Sequence, residues 1–344
     1  MSKEELKQKL REKPGYMKSG APNLSRIFGV SKKLARAAVR EVSYEERTNK
    51  DKVIIINDTK TQYQDFLEWQ AEKNATEAIE EEIEDIFYIE TPLVKEQEGM
   101  HILMGCNHVP FENKQLHKGV MQLIEDYNVI VKGFHLMGDF LDLNALSSHD
   151  KGKFTAIPGL TLDSEYESGN KLLDEFEAVL PEDCWKTYIY GNHEDRHNRW
   201  MSSMDNAKTP LRSPKEALNL DERGYLVKTS WSQDYITLGN DFDIFHGIYF
   251  SIHNAKAHLD KLRRSCAYVH THRIQNYREG NMAAFNIGAC ADFKSKAFNY
   301  ATRPMKQQWA NGFAINMIDN KGKSNVTQVN VNEDGHFWFG GKFY

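Results

Sequence analysis

Five short stretches of the sequence contain side chains that commonly bind divalent metal ions. In chain order they are Cys106-Asn107-His108, Gly138-Asp139-Phe140-Leu141-Asp142, Gly191-Asn192-His193-Glu194-Asp195, His246-Gly247 and His270-Thr271-His272. Imidazole nitrogens together with carboxylate and amide oxygens suit Mn, Fe or Zn. One such histidine alone is usually a packed or surface residue, so the prediction of a metal site depends on all five stretches together.

A ligand set of this kind suits the hydrolysis of a phosphate ester. The ester is already anionic, and two divalent cations about 3.5 to 4 Å apart can neutralise that charge while making hydroxide from water. A carboxylate placed between the ions can bridge them. We expect the site to be built from Asp139, Asn192, His246, His270 and His272.

Each of the five stretches follows a run of apolar residues that predicts a β-strand. The runs cover residues 102–104, 134–137, 187–190, 242–245 and 267–269. In layered α/β folds, ligands project from loops at strand ends, where the backbone is held rigidly beside an open crevice. From residue 282 onward, runs of period two at 283–287, 312–318, 326–331 and 336–339 predict antiparallel strands.

The order and content of the five stretches resemble the calcineurin-like metallophosphoesterase superfamily, whose pattern is DxH, GDxxD, GNH[DE], H and GHxH. The resemblance covers roughly residues 100 to 344 and implies a four-layer α/β/β/α sandwich. The flanking sequences Val109-Pro110-Phe111, Asp195-Arg196 and Asn311-Gly312-Phe313 are similar to versions found in tailed-phage genomes.

The resemblance also implies a role for each matching residue. It makes Asp139 the bridging ligand, and it assigns His108 and His272 to one metal. Asn192, His246 and His270 would then serve the other metal. His193 would protonate or stabilise the leaving oxygen, and Asp142 would orient His193 through a hydrogen bond.

The sequence departs from the superfamily pattern at the first motif, where Cys106 replaces the expected aspartate. A thiolate can bind a metal and prefers softer ions such as Zn or Fe(II). Alternatively, Cys106 packs as a small buried hydrophobic residue. Both interpretations stay open at this point. The expected cofactor is a pair of divalent ions, with Mn as the first expectation and Fe or Zn as alternatives.

The first 50 residues differ from the rest in charge, with 13 Lys and Arg against 6 Asp and Glu, whereas residues 51–344 have 31 against 43. Apolar Leu24, Ile27 and Phe28 precede Gly29, a turn residue, and Ser31 is placed to cap a second helix. This pattern predicts a small all-α helix-turn-helix domain over residues 1–50.

The helix-turn-helix pattern resembles small DNA-binding units in which the second helix enters the major groove. Lys32, Lys33, Arg36 and Arg40 would then face DNA. The alternative is a plain helical interaction module. Residues 51–98 are interpreted as a connector and residues 99–344 as the metallophosphoesterase domain.

Composition excludes fibrous and membrane classes, because 40% of residues are hydrophobic, 27% are charged and no apolar run approaches the roughly 20 residues of a spanning helix. A cytoplasmic location is expected, in the host cytoplasm if a phage encodes the chain. The four cysteines are expected to be reduced thiols. A homo-oligomer is compatible with the sequence, which indicates no particular interface.

The leading functional hypothesis is a DNA-directed nuclease or phosphodiesterase. The final His270-Thr271-His272 resembles the nuclease and phosphodiesterase branch, and Leu143 stands where protein phosphatases have an arginine. A basic N-terminal domain would add a sequence-independent attraction to DNA. One alternative is a phosphomonoesterase acting on proteins or nucleotides. Another is a non-catalytic DNA-binding protein whose metal site has degenerated at Cys106.

Overall fold

The structure is a computed structural model. It describes residues 2–12, 24, 27–31, 34, 38, 91–147, 157, 159–202 and 211–344. The chain divides into two compact units, Met1–Ile86 and Phe87–Tyr344.

The N-terminal unit contains helix α1, Lys3–Glu12. Leu6 and Leu10 lie four residues apart on one face of this helix and are fully buried. They form a small hydrophobic cluster with Leu24 and Ala38.

The predicted helix-turn-helix falls only partly on described residues. Ile27 and Phe28 are helical, and Gly29 forms a turn with a φ of 62°. The main-chain N–H of Leu34 donates to Oγ of Ser31 at 3.2 Å, which is the contact expected of an N-cap serine. The four basic residues predicted to face DNA (Lys32, Lys33, Arg36 and Arg40) lie outside the described residues, as do residues 51–90 of the predicted connector.

The C-terminal unit contains both helices and strands. The α-helices are α2 Lys114–Asp126, α3 Leu162–Glu177, α4 Asp195–Met201, α5 Pro214–Ala217, α6 Asn254–Leu262 and α7 Arg303–Lys306. Short 3-10 helices cover Val94–Gln97, Asn128–Ile130, Asn144–Leu146 and Lys296–Phe298. The strands are β1 Gly99–Met104, β2 Val131–Leu136, β3 Trp185–Ile189, β4 Tyr225–Lys228, β5 Ile236–Leu238, β6 Phe242–Ile244, β7 Ser265–Tyr268, β8 Ile274–Glu279, β9 Met282–Ile287, β10 Gly312–Ile318, β11 Ser324–Asn330, β12 Trp338–Phe339 and β13 Lys342–Phe343.

The first sheet has six strands in the order β11-β10-β1-β2-β3-β4. Strands β1 to β4 are parallel to one another, β10 is antiparallel to β1, and β11 is antiparallel to β10. Because the carboxyl ends of parallel strands meet at one edge, the loops that follow β1, β2 and β3 emerge side by side. These loops contain the first three motifs.

The second sheet has five strands in the order β5-β6-β7-β9-β8. Strands β6, β7 and β9 are parallel, and β5 and β8 are antiparallel to their neighbours. His246 follows the end of β6, and His270 and His272 follow the end of β7. The last two motifs therefore also emerge together. Strands β12 and β13 form a separate hairpin.

Three hydrophobic clusters show which elements pack together. One joins side chains of α2 and α3, such as Val120 and Leu173, to Phe134 on β2. A second contains residues of both sheets, among them Leu103 on β1 and Ile244 on β6. In the third, Leu259 of α6, Tyr268 of β7 and Ala284 of β9 pack together. The C-terminal unit thus has mixed β-sheets packed with helices, which agrees with the predicted α/β class.

The five strand predictions that precede the motifs each overlap an observed strand. One pairing differs from prediction, because β9 is parallel to β7 and antiparallel only to β8. The period-two pattern places side chains on alternating faces whether the neighbouring strand is parallel or antiparallel, so it does not determine the direction of that neighbour.

No helix in the described part of the chain is long and apolar enough to cross a membrane.

Candidate metal centre

The loops that contain the motifs have an unusual backbone. Eight non-glycine residues in the described part of the chain have a positive φ, and five of them are predicted metal ligands: Cys106, His108, Asp139, His270 and His272. Left-handed conformations of non-glycine residues cost free energy and tend to occur at functional sites. The backbone therefore points to these loops as a site independently of the side-chain chemistry.

His108 and His272 form the first group of nitrogen atoms. Their Nε2 atoms face each other at 3.1 Å, and both side chains are buried. Nδ1 of His108 donates to the Oδ2 carboxylate oxygen of Asp142 at 3.1 Å. This hydrogen bond fixes the tautomer of His108 and leaves the lone pair of Nε2 directed toward His272.

His246, Asn192 and His270 form the second group. Nε2 of His246 lies 3.0 Å from Oδ1 of Asn192 and 3.1 Å from Nδ1 of His270. Nδ1 of His246 donates to the main-chain carbonyl of Met137 at 3.1 Å. His246 therefore turns the lone pair of Nε2 toward its two partners.

The carboxylate of Asp139 lies between the two groups. Its Oδ2 is 3.3 Å from Nε2 of His246 and 3.9 Å from Nε2 of His108. Its other oxygen, Oδ1, accepts the main-chain N–H of His193 at 2.8 Å. Only Oδ2 is thus available to both groups, which is the placement required of a bridging ligand.

These groups fit divalent metal ions. Two nitrogen ligands about 2.1 Å from one ion lie roughly 3.0 to 3.4 Å apart for angles between a right angle and the tetrahedral value, and the observed separations are 3.1 Å. Around Nε2 of His246, the facing oxygens of Asn192 and Asp139 are also acceptors. Facing lone pairs repel unless a proton or a cation lies among them, so the arrangement requires positive charge at its centre.

The pKa shifts of the buried imidazoles agree with the need for positive charge at the centre of these groups. Burial and the nearby ring of His246 lower the pKa of His270 to about 4, and burial with the ring of His108 lowers the pKa of His272 well below its usual value. Both rings are therefore neutral, with a lone pair to offer. Burial disfavours protonation of His246 as well, but the carboxylate of Asp139 outweighs it and raises the pKa of that ring.

Cys106 is placed among both groups. Its Sγ lies within 4.8 Å of the ligand atoms of His108 and His272. It also lies within 4.8 Å of the ligand atoms of Asp139 and His246. The main-chain N–H of His270 donates to this sulfur at 3.2 Å. The side chain is fully buried, and burial together with the charge of Asp139 raises the pKa of the thiol well above its usual value. Cys106 thus stays a thiol unless a cation compensates the charge of its thiolate.

His193 and Asp142 lie at the margin of the first group. The ring of His193 packs edge-on against that of His108, with centroids 4.4 Å apart. Nδ1 of His193 donates to the main-chain carbonyl of Asp142 at 2.7 Å, and the carboxylate of Asp142 lies 3.5 Å away. Asp142 therefore holds His193 mainly through its backbone, while its carboxylate contacts His108.

Arg196 contacts both of these residues. Its guanidinium donates to the carbonyl of Asp142 at 2.8 Å and faces Nε2 of His193 at 3.2 Å. Burial raises the pKa of Asp142, but His193, His108 and Arg196 outweigh burial and lower it to about 2. The Asp142 carboxylate is therefore ionised throughout the neutral pH range.

Glu194, for which the sequence predicts no role, is fully buried behind the site. Its carboxylate accepts the main-chain N–H groups of Asp139 at 2.9 Å, Leu141 at 3.0 Å and Gly191 at 2.7 Å. The hydroxyl of Tyr188 also donates to it at 3.0 Å. Glu194 thus joins the loops after β2 and β3. Its position in the third motif is the only signal in the sequence that could have identified it.

Two glycines of the motifs leave room for ligand side chains. A Cβ atom on Gly191 would collide with Oδ1 of Asp139, and one on Gly138 would lie 2.5 Å from Nδ1 of His246. These glycines therefore permit the close approach of the two loops that present Asp139 and His246.

The nine predicted catalytic and metal-binding residues are brought into one cluster. They are Cys106, His108, Asp139, Asp142, Asn192, His193, His246, His270 and His272, and seven of them are buried, with Asn192 and His270 half-buried. Asn192 and His270 are therefore the least covered members of the cluster. The predicted DNA-facing residues are not part of the described chain and are not placed.

The sequence matches no protein-family model and no curated protein. Several solved structures are similar. Vacuolar protein sorting 29 from Cryptosporidium parvum is 10% identical with a TM-score of 0.36, over 72% of this chain and 95% of that one. An archaeal phosphodiesterase is 17% identical with a TM-score of 0.34, over 66% and 98%. A predicted phosphoesterase from Streptococcus pneumoniae is 14% identical with a TM-score of 0.30, over 72% and 97%.

Proposed function

We propose that the protein is a metal-dependent phosphoesterase that hydrolyses phosphodiester bonds. The observation that supports it best is the position of Asp139, whose Oδ2 lies 3.3 Å from His246 and 3.9 Å from His108. Each of these imidazoles faces a second imidazole nitrogen at 3.1 Å. Two divalent ions would be held by His108, His272 and Asp139 on one side and by Asp139, Asn192, His246 and His270 on the other. When bound, the ions would neutralise the anionic ester and supply a nucleophile at neutral pH.

The protein's own side chains prepare the site for an anionic substrate. The half-buried Asn192 and His270 are the least covered of the candidate ligands. Arg196, with a side chain 15% exposed, keeps a positive charge beside Nε2 of His193. We assign His193 and Arg196 to the ester oxygens, and Asp142 to the positioning of His108 and His193.

Beyond this, we propose a four-layer α/β/β/α arrangement for the C-terminal unit. It is supported by the three hydrophobic clusters, which join α2 and α3 to the first sheet, the first sheet to the second, and α6 to the second sheet. This arrangement would bring the strand ends of both sheets to one cleft.

We also propose that DNA is the substrate, which makes the protein a nuclease or phosphodiesterase that acts in the cytoplasm on behalf of a phage. The support is the excess of basic residues in the first 50 positions and the helix-turn-helix pattern there. Lys32, Lys33, Arg36 and Arg40 would contact phosphates. Replacing Arg36 and Arg40 by Gln should weaken binding to duplex DNA. The slope of the logarithm of the binding constant against the logarithm of the salt concentration should become about 1.8 less steep.

A substrate panel tests the proposed activity. The full-length protein, loaded with Mn, Fe or Zn, is offered single- and double-stranded DNA, bis(4-nitrophenyl) phosphate, 4-nitrophenyl phosphate and phosphopeptides. We expect hydrolysis of the diesters, with loss of activity in Asp139→Ala. Preference for the monoesters would favour a phosphomonoesterase. Absence of both activity and bound metal would favour a non-catalytic DNA-binding protein.

A further inference from the structure

The segment between β9 and β10 is basic and aromatic. Residues 293–309, here called the basic segment, contain four Lys and Arg and no Asp or Glu, although the chain as a whole has a net charge of -5. The cations are Lys294, Lys296, Arg303 and Lys306, and the aromatic residues are Phe293, Phe298, Tyr300 and Trp309. A local excess of positive charge beside an otherwise acidic surface attracts a polyanion.

The inner side of the basic segment packs against candidate metal ligands. Phe298 is buried, with its ring 5.4 Å from that of His108. The ring of Trp309 lies 4.9 Å from that of His272, and the main-chain N–H of Ala310 donates to the carbonyl of His272 at 2.7 Å. The segment thus packs directly against the first group of ligands.

The outer side of the basic segment is exposed. Tyr300 is 64% exposed, and its ring lies 6.3 Å from that of Trp309. Trp309 in turn contacts the ring of His272 at 4.9 Å, so Tyr300 is separated from a candidate metal ligand by one side chain. An exposed ring at this position offers a stacking surface close to the reacting atoms.

The cations of the basic segment are not neutralised by carboxylates. Lys294 and Lys306 donate to the main-chain carbonyls of Glu333 and Phe293, at 3.3 and 3.4 Å. Lys296 and Arg303 are exposed. Within the described part of the chain, no ion pair involves any of the four, so their charge remains available for phosphates.

We propose that the basic segment binds a single-stranded nucleic acid and leads it into the metal centre, with Tyr300 stacking on an unpaired base and Lys296 and Arg303 contacting phosphates. Stacking on a side chain requires a base that is not paired and stacked within a duplex. Alternating aromatic and basic residues fit the repeat of bases and phosphates along one strand. This inference rests on the proposed phosphodiesterase function and names its substrate as single-stranded.

Binding of a thymidylate oligomer of about ten nucleotides by the full-length protein tests the inference. Fluorescence anisotropy is measured in EDTA, so that the strand is not cleaved. Tyr300→Ala should raise Kd about tenfold, and Tyr300→Trp should keep it within about twofold, because tryptophan also stacks. The double variant Lys296→Gln with Arg303→Gln should lower the logarithmic salt slope by about 1.4.

Matched controls replace exposed residues of the same types outside the segment. They are Tyr235→Ala, at a residue 56% exposed, and Lys261→Gln with Arg278→Gln. These controls should bind the oligomer as the unchanged protein does. The N-terminal residues are the same in every variant, so any contribution they make to binding is constant across the series.

Three results would overturn the inference. They are an unchanged Kd in Tyr300→Ala together with an unchanged salt slope in the double variant, a loss of duplex binding in Tyr300→Ala as large as the loss of single-strand binding, and preferential binding of a phosphopeptide. Hydrolysis of bis(4-nitrophenyl) phosphate separates the two proposals. If the metal-loaded protein cleaves the ester but the variants of the basic segment bind the single strand as the unchanged protein does, only this inference fails. If it cleaves no ester, the phosphodiesterase function fails, whatever the binding in EDTA shows.

Discussion

The main-chain N–H of His193 donates a hydrogen bond of 2.8 Å to Oδ1 of Asp139. This contact determines which carboxylate oxygen faces the imidazoles, and Oδ2 lies 3.3 Å from Nε2 of His246 as a result. The loops after β2 and β3 thereby define one orientation of Asp139. Such preorganisation favours metal binding because little ordering is left to occur.

Glu194→Gln should weaken metal binding by about 10- to 100-fold, the usual effect of losing a residue that orients ligands. The carboxylate accepts three main-chain N–H groups and one hydroxyl, and the amide of glutamine offers only one oxygen for them. Metal titration monitored by calorimetry checks this. Asp195→Asn, at the next residue, is the matched control, because Asp195 pairs with Arg199 at 3.2 Å outside the cluster. Equal losses in both variants would contradict a specific role for Glu194.

Cys106→Ala and Cys106→Asp decide between the two roles considered for this cysteine. Its Sγ lies within 4.8 Å of the ligand atoms of His108 and His272. If the sulfur binds metal, Ala should reduce Zn affinity more than Mn affinity, because a thiolate is a soft donor, and Asp should shift the preference toward Mn. Competition between Zn and Mn measures this. Unchanged metal affinities in Cys106→Ala would show that the side chain only packs.

The buried pair His101 and His135 should make the protein less stable in mild acid. Burial lowers the pKa of His101 to about 4 and the pKa of His135 well below its usual value. The unfolded chain therefore binds protons below about pH 6.5 that the folded chain does not. The free energy of unfolding keeps its full value above that pH. Below it, each histidine should lower the free energy of unfolding by up to about 1.4 kcal/mol per pH unit toward pH 4.

Chemical denaturation between pH 7 and 5 measures this fall. Replacing both histidines by Gln should make the pH dependence of the free energy of unfolding less steep, because Gln does not titrate, while the buried rings of His270 and His272 continue to contribute. His253→Gln, at an exposed residue, is the control and should leave the dependence as it is. An equally steep dependence in the double variant would assign the acid sensitivity to other groups.

The convergence of the motifs was predictable because each follows an apolar run, and parallel strands bring their ends together. Strands β1, β2 and β3 are parallel neighbours, so His108, Asp139 and Asn192 meet at one edge. The side chains that support the ligands were not predictable. Arg196, the second residue of α4, turns inward to His193 at 3.2 Å, and this direction depends on where the helix lies and not on a pattern in the sequence.

The contact between His101 and His135 illustrates the same limit. The two rings are hydrogen-bonded at 2.9 Å although their strands align His101 with Gly133 and Leu103 with His135. A Cβ atom on Gly133 would collide with both rings. The pair thus depends on strand register and on the space that a glycine leaves, and neither follows from the period-two pattern.

The metal content of the purified full-length protein and of Asp139→Asn tests the central claim most directly. The protein is loaded with Mn or Zn, and unbound ions are removed. Elemental mass spectrometry should then find about two metal ions per chain of the protein without substitutions. Asp139→Asn, which weakens the shared ligand, should retain about one or none and lose diester hydrolysis. An unchanged chain that binds no metal, or a variant that keeps both ions and full activity, would contradict the claim that Asp139 bridges a two-metal centre.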